Sequence, residues 1–111
     1  MKVEITRHGA IAAMTIDGRL SSAVADAFED RLRGVLDDGA AQVVIDMSAL
    51  TFISSSGLRA LIVAAKRLSE GGGRIHLFGL GAPIREVFEV SGLLRIFPVH
   101  ATRDEAMGAA D

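Results

Sequence analysis

Cysteine is absent from this 111-residue chain, which excludes disulfides and thiolate metal sites together. Long apolar runs are also missing. Nowhere do about 18 consecutive apolar residues occur, and the opening MKVEITRHGAIAAMTIDG holds no uninterrupted run suited to a signal peptide. Nor is there an excess of one charge: 12 basic side chains face 14 acidic ones, for a formal net charge of -2. Electrostatics therefore gives no reason to expect nucleic acid or anionic lipid as a partner. No internal repeat, linker or low-complexity tract is present. What remains is a chain half of whose residues are apolar, long enough for one modest core and too short for two. The expectation is a single domain over residues 1–111, soluble and cytoplasmic, without membrane insertion.

The apolar residues fall into alternating patterns. VEIT and AIAAMTI flank Arg7, His8 and Gly9, which predicts a hairpin from Val3 to Ile16 with Gly9 in the turn. DGRLSS then breaks the strand. Ser21 or Ser22 is the expected N-cap of a helix reaching about Leu36, because Val24, Phe28, Leu32 and Val35 recur at helical spacing. QVVIDM and IHLFGL are short, nearly continuous apolar runs, the pattern of strands buried on both faces of a parallel sheet. A helix is expected between them, over about Gly57 to Ser69, ended by the glycines of EGGGR. Pro83 is expected as the first residue of a third helix, with Ile84, Val87 and Phe88 on its apolar face and Gly92 at its end. LLRIFPV predicts a last short strand. Thr102 and Glu105 then form a capping box for a terminal helix of little more than two turns. Strands alternating with helices imply right-handed crossovers and an α/β layer structure. Crossovers that advance in one direction put their helices on one sheet face, and the small residues of AIAAMTI suit an opposite face that is thinly covered.

The stretch TFISSSGLRALIVAAKRL puts three hydroxyls where a strand gives way to an amphipathic helix. The plainest reading is a cap, with Ser55 or Ser56 at the N-cap position. Leu58, Leu61, Ile62, Ala65 and Leu68 then share the apolar face, while Arg59, Val63, Lys66 and Arg67 point outward. The end of a strand and start of a helix is also where α/β sheets place ligands, and negative charge is favoured there by the helix dipole. A catalytic serine fits poorly. The nucleophile elbow needs glycines on both sides, and Phe52, Ile53 or Ser54 stands where the upstream glycine belongs. The available bases are His8, His76 and His100, in a turn, inside a strand and after the last strand, so nothing in their placement brings them to the serines. A phosphate-binding P-loop is excluded, since neither EGGGR nor GLGAP ends in Gly-Lys-Ser/Thr.

Taken whole, VVIDMSALTFISSSGLRALIVA resembles the signature of the STAS domain, the fold of sulfate transporters and anti-sigma factor antagonists. Free-standing members of that family read D-L-S-x-V-x-F-I-D-S-S-G-L at this place. IDGRLSS is similar to the family's first turn and helix start, and IREVFEVSGLLRIFPVHATRDEA to its C-terminal third. The resemblance implies an α/β fold with a mixed, mostly parallel sheet, an N-terminal antiparallel hairpin and about four helices. It also implies a function without catalysis, metal or cofactor. In the antagonists, the serine following the motif's Asp is phosphorylated by a partner that is both GHKL-type kinase and anti-sigma factor. Aligning FISSSG on FIDSSG makes that serine Ser55, with Ser54 in place of the Asp and Ser54 and Ser56 as alternative acceptors. Asp46, matching the family's Asp at the end of the preceding strand, has a site reading and a simpler one as a turn carboxylate.

The implied mechanism is partner switching. Unmodified protein binds the anti-sigma factor and kinase, phosphorylated protein leaves it, and a phosphatase is a further candidate partner. The expected partner surface comprises Asp17, Arg19, Ser21, Ser54, Ser56, Gly57, Arg59 and Val63. The alternative implied by the family is the STAS subunit of a lipid-transporting ABC system, a docking partner without catalysis; the missing Asp at Ser54 keeps it open. A small hydrolase is a third reading, disfavoured by the absent elbow and the scattered histidines.

Overall fold

The computed structural model describes all residues from Met1 to Asp111. The chain runs β1 (Lys2–His8), β2 (Ile11–Leu20), α1 (Ser22–Asp37), β3 (Gln42–Asp46), β4 (Leu50–Ile53), α2 (Ser55–Glu70), β5 (Ile75–Phe78), α3 (Ala82–Val90), a 3-10 turn at Leu93–Arg95, β6 (Val99–His100) and α4 (Arg103–Ala110). The sheet order is β1-β2-β3-β5-β6, with β4 paired to β2. Only β1 and β2 are antiparallel. Gly9 turns the hairpin at φ 63°, a conformation in which a Cβ is costly. No helix is long and apolar enough to cross a membrane.

The second strand does not break at DGRLSS. It continues to Leu20 through a register irregularity between Gly18 and Arg19, with Gly18 at φ 106°. Asp-Gly here forms a bulge inside a strand rather than a turn between elements. The extension has a partner because the chain after β3 jogs and resumes its direction. The Asp46 carboxylate accepts from the Ser48 N–H at 2.9 Å and the Ser48 hydroxyl at 2.6 Å, and Leu50 N–H closes on the Met47 carbonyl at 3.1 Å. Asp46 is thus a turn carboxylate. β2 pairs with β3 over Ile11–Thr15 and with β4 over Gly18–Leu20.

A core of 25 buried residues lies between the sheet and α1, α2 and α3, where Phe88 and Phe97 meet edge to face with centroids 5.7 Å apart. On the other face, Ile11, Val44 and Phe78 are covered by Ala106, Met107 and Ala110 of α4, so the covering is thin, as the AIAAMTI pattern predicts. Thr102 caps α4, its hydroxyl accepting from the Glu105 N–H at 3.2 Å. The Glu105 carboxylate returns to the Ala101 N–H at 3.2 Å, one residue earlier than in the usual box.

Two further expectations are corrected. LLRIFPV forms no continuous strand: Leu93 and Phe97, both buried, point inward four residues apart, and the Ile96 and Phe97 N–H groups both turn back to the Leu93 carbonyl. Helical spacing toward the core overrides the strand pattern, leaving only Val99–His100 in the sheet. Pro83 is the second residue of α3, not the first, after Gly81 at the N-cap; its missing N–H still falls among those left free in a first turn. As expected, EGGGR ends α2, with Gly72 at φ 83°. Gly73 is required for a different reason: a Cβ there would lie 2.0 Å from the Ala41 carbonyl oxygen.

His76 is the buried polar side chain of the domain, 5% exposed. Its Nδ1 lies 3.0 Å from Nε2 of His100, so one ring donates and the other accepts. Burial, first, and then the neighbouring His100 and Arg74 charges hold His76 below the ordinary histidine value. The folded state therefore takes up this proton less readily than the unfolded chain. The associated stability is present above the ordinary value near 6.5 and is lost as pH falls through it toward the depressed folded value. Urea midpoints should drop between pH 7.5 and pH 5.5, and His76→Gln should reduce that drop. An equal pH dependence in the variant would exclude His76 as its source.

Candidate functional site

The site is built where β2 and β4 end together. Leu20 and Ile53 are register partners, and the Ser54 N–H extends the pairing by donating to the Leu20 carbonyl at 2.8 Å. The chain then enters α2. Ser54, extended at φ -83° and ψ 166°, is the N-cap: its hydroxyl oxygen accepts from the Gly57 N–H at 3.1 Å. This corrects the expected cap at Ser55 or Ser56. Those two serines occupy the first two helical positions, both exposed, and neither hydroxyl is engaged in a hydrogen bond within the protein.

Gly57 is buried under a close approach. A Cβ at this position would lie 2.7 Å from Cγ and 2.9 Å from Cδ2 of Leu20, and 3.3 Å from Cγ1 of Ile53. Its contribution is space, since it lets the first turn of α2 sit on the end of β2. Arg19, on the other side of that strand end, stacks its guanidinium 4.3 Å from the centroid of the Phe52 ring. Such a contact is worth ~0.5–1 kcal/mol at an exposed site. Phe52 remains 37% exposed.

Farther along α2, Ser56, Arg59 and Val63 line a cavity of about 260 Å³ with Ala25, Asp26 and Glu29 of α1 and with Ala60. Val63 is 48% exposed, and Arg59 makes no ion pair. The structure thus places Ser54, Ser55, Ser56, Gly57, Arg59 and Val63 along α2, from its N-cap to its third turn, and Arg19 at the end of β2. Ser21 holds the N-cap position of α1, but its hydroxyl makes no capping bond, so the expected cap is positional only. Asp17 is drawn to the opposite side, in register with Lys2 of β1. There the Lys2 ammonium is held above its ordinary value, chiefly by its hydrogen bond to Glu4 and by the Glu4 charge, with Asp17 adding a smaller pull. Phe52, Asp26 and Glu29 complete the surface and escaped the sequence reading. Phe52 was detectable as the outward neighbour of buried Ile53, whereas the two α1 carboxylates depend on how the helices pack. None of the histidines is placed to activate a serine: His8 bonds Thr6 in the hairpin, and His76 and His100 bond each other.

A six-stranded mixed sheet, three helices on one face with a short fourth on the other, and a capped serine run at a strand-to-helix junction define an α/β domain of the STAS type. The STAS domain profile matches residues 2–106, and the chain belongs to that family. It is 38% identical over 109 residues to BtrV of Bordetella bronchiseptica, a proposed anti-sigma factor antagonist, with 98% of this chain and 94% of that one covered. RsfB of Mycobacterium tuberculosis, an anti-sigma-F factor antagonist, is 26% identical over 105 residues, covering 95% and 85%. The crystal structure of an anti-sigma factor antagonist from Mycobacterium paratuberculosis superposes with a TM-score of 0.88 at 27% identity, covering 98% of this chain and 92% of that one.

The geometry separates the cap from the close approach. Ser54→Ala should lose ~1 kcal/mol, the usual value of an N-cap, while Ser54→Asp should keep it. Gly57→Ala should lose about 1–3 kcal/mol by crowding Leu20, less a helix-propensity gain of at most ~1 kcal/mol. Urea denaturation decides; a Gly57→Ala protein more stable than its parent would show that Leu20 moves aside freely.

Proposed function

We propose that this chain is a cytoplasmic anti-sigma factor antagonist in a partner-switching pathway, a binding protein and kinase substrate rather than an enzyme. Unmodified, it binds an anti-sigma factor that is also a GHKL-type serine kinase. Phosphorylated on Ser55, it lets go. A phosphatase that hydrolyses the phosphoserine resets the cycle. The observation that carries this reading is the division of labour among the serines. Ser54 is half-buried and committed to the Gly57 N–H, whereas Ser55 is exposed with a free hydroxyl, in a chain 38% identical to a proposed antagonist. Ser56 shares that freedom and is the second candidate acceptor.

In the transfer, the Ser55 hydroxyl gives its proton to a base of the kinase and its oxygen bonds the γ-phosphorus of ATP. The bond from that phosphorus to the β-γ bridging oxygen breaks, and ADP leaves. The product carries about -1.5 to -2 charge at a surface the partner must cover. A hundredfold to thousandfold loss of affinity requires only ~2.7–4.1 kcal/mol, within the cost of stripping water from an imperfectly paired phosphate. The surface itself comprises Arg19 with Phe52, Ser55, Ser56, Arg59 and Val63. Gly57 shapes it from beneath, Ser54 holds it in place, and Ser21 lies at its margin, while Asp17, paired toward β1, is left outside it.

Ser55→Ala should keep the fold and bind the kinase without release by ATP. Ser55→Asp should bind more weakly than the parent but more tightly than the phosphoprotein, because one planar carboxylate supplies less charge and fewer acceptors than phosphate. Calorimetric titration of the partner, with phosphate mapped by mass spectrometry, tests the ranking; phosphate confined to Ser54 or Ser56 would remove Ser55 from the mechanism.

The extent of the surface is a separate question. Val63→Glu and Arg19→Ala should each weaken kinase binding about tenfold or more, the effect of losing ~1.4 kcal/mol, with melting temperatures nearly unchanged. Parental affinity in Val63→Glu would take this face of α2 out of the interface.

A further inference from the structure

We propose that Arg59 is an intramolecular clasp for phosphate on Ser55, so that one modification both adds charge and withdraws a cation from the partner surface. The inference rests on the assignment of Ser55 above and concerns how that site is regulated. Ser55 is the first residue of α2 and Arg59 lies four residues later. That spacing puts the side chains one turn apart on the same face, with Cβ atoms about 5–6 Å from each other. The order is the favourable one, acidic group N-terminal to basic.

Arg59 is also uncommitted. On the helices, Arg33, Arg67 and Arg85 each bond a carboxylate, at 2.8, 2.6 and 3.0 Å. Arg59 is exposed, and although Asp26 and Glu29 line the same cavity, it pairs with neither. A phosphoserine one turn away offers nearly two charges and three acceptor oxygens, and a guanidinium fork bonds such a group through two parallel N–H donors. The other nearby cations are worse placed. Arg19 is stacked on Phe52, and Lys66 lies eleven residues along the helix, about 16 Å away. With the clasp closed, the guanidinium turns toward the helix start and leaves the rim of the cavity shared with Ser56 and Val63. The partner then loses a contact at the moment it meets a new negative group.

The test uses full-length protein with phosphoserine incorporated at position 55 during translation, so that no kinase is needed. Phosphorus NMR titration of the phosphate should give a second ionisation that rises by about 0.3 unit or more in Arg59→Gln and stays put in Lys66→Gln. The ratio of partner affinities, unmodified over phosphorylated, should also be smaller in Arg59→Gln than in the parent. An identical phosphate titration in parent and Arg59→Gln overturns the clasp. A kinase that never modifies Ser55 overturns the functional assignment instead and leaves the titration result standing, so the two failures are distinguishable.

Discussion

The close approach of Gly57 to Leu20 organises the site. Leu20 ends β2, and its side chain fills the space that a Cβ at position 57 would occupy. The α2 helix can therefore begin directly on the strand end. Everything nearby follows from that contact. Ile53 is brought level with Leu20, the Ser54 N–H reaches the Leu20 carbonyl, and Ser54 becomes the residue that closes the first turn. With Ser54 so occupied, the next two serines are pushed onto the outer surface of the helix. A bulkier residue at 57 would tilt α2 away from β2 and loosen both the cap and the exposure of Ser55.

The same geometry explains why serine can stand where the family motif has aspartate. Asp and Ser are comparable N-caps, and the bond at stake is the one from the Gly57 N–H to the Ser54 oxygen. The structural task is kept and the charge is dropped. The phosphate proposed for Ser55 would arrive beside a neutral hydroxyl instead of a carboxylate, at the positive end of the helix dipole and one turn from Arg59. Phosphate is easier to accommodate on such a helix start than beside a second anion, which favours a modified form that is itself well folded.

Much of the architecture was legible because local chemistry and tertiary structure agree. The Gly9 hairpin, the buried runs of β3 and β5, the glycine stop after α2 and the Thr102 cap of α4 each rest on residues within a few positions of one another. The failures occurred where distant residues decide. DGRLSS reads as a break until β4 is known to lie alongside, because a bulge and a turn use the same Asp-Gly pair. LLRIFPV reads as a strand until the core is seen to claim Leu93 and Phe97 at helical spacing. Hydroxyls at 54, 55 and 56 are locally interchangeable as caps.

By itself the sequence determined the class of fold, the order of its elements apart from β4 and the 3-10 turn, and the place of the serine run at a strand-to-helix junction. Apolar periodicity and glycine placement express those directly, since they depend on backbone geometry over one or two turns. Only the tertiary structure decided which serine is held and which is free, that Arg19 stacks on Phe52, and that Arg59 and Val63 share a cavity with Asp26 and Glu29. Those outcomes depend on contacts between β2, β4, α1 and α2, segments up to about forty residues apart in the chain. Packing against Leu20, a residue outside the motif, settles what three identical hydroxyls cannot settle among themselves.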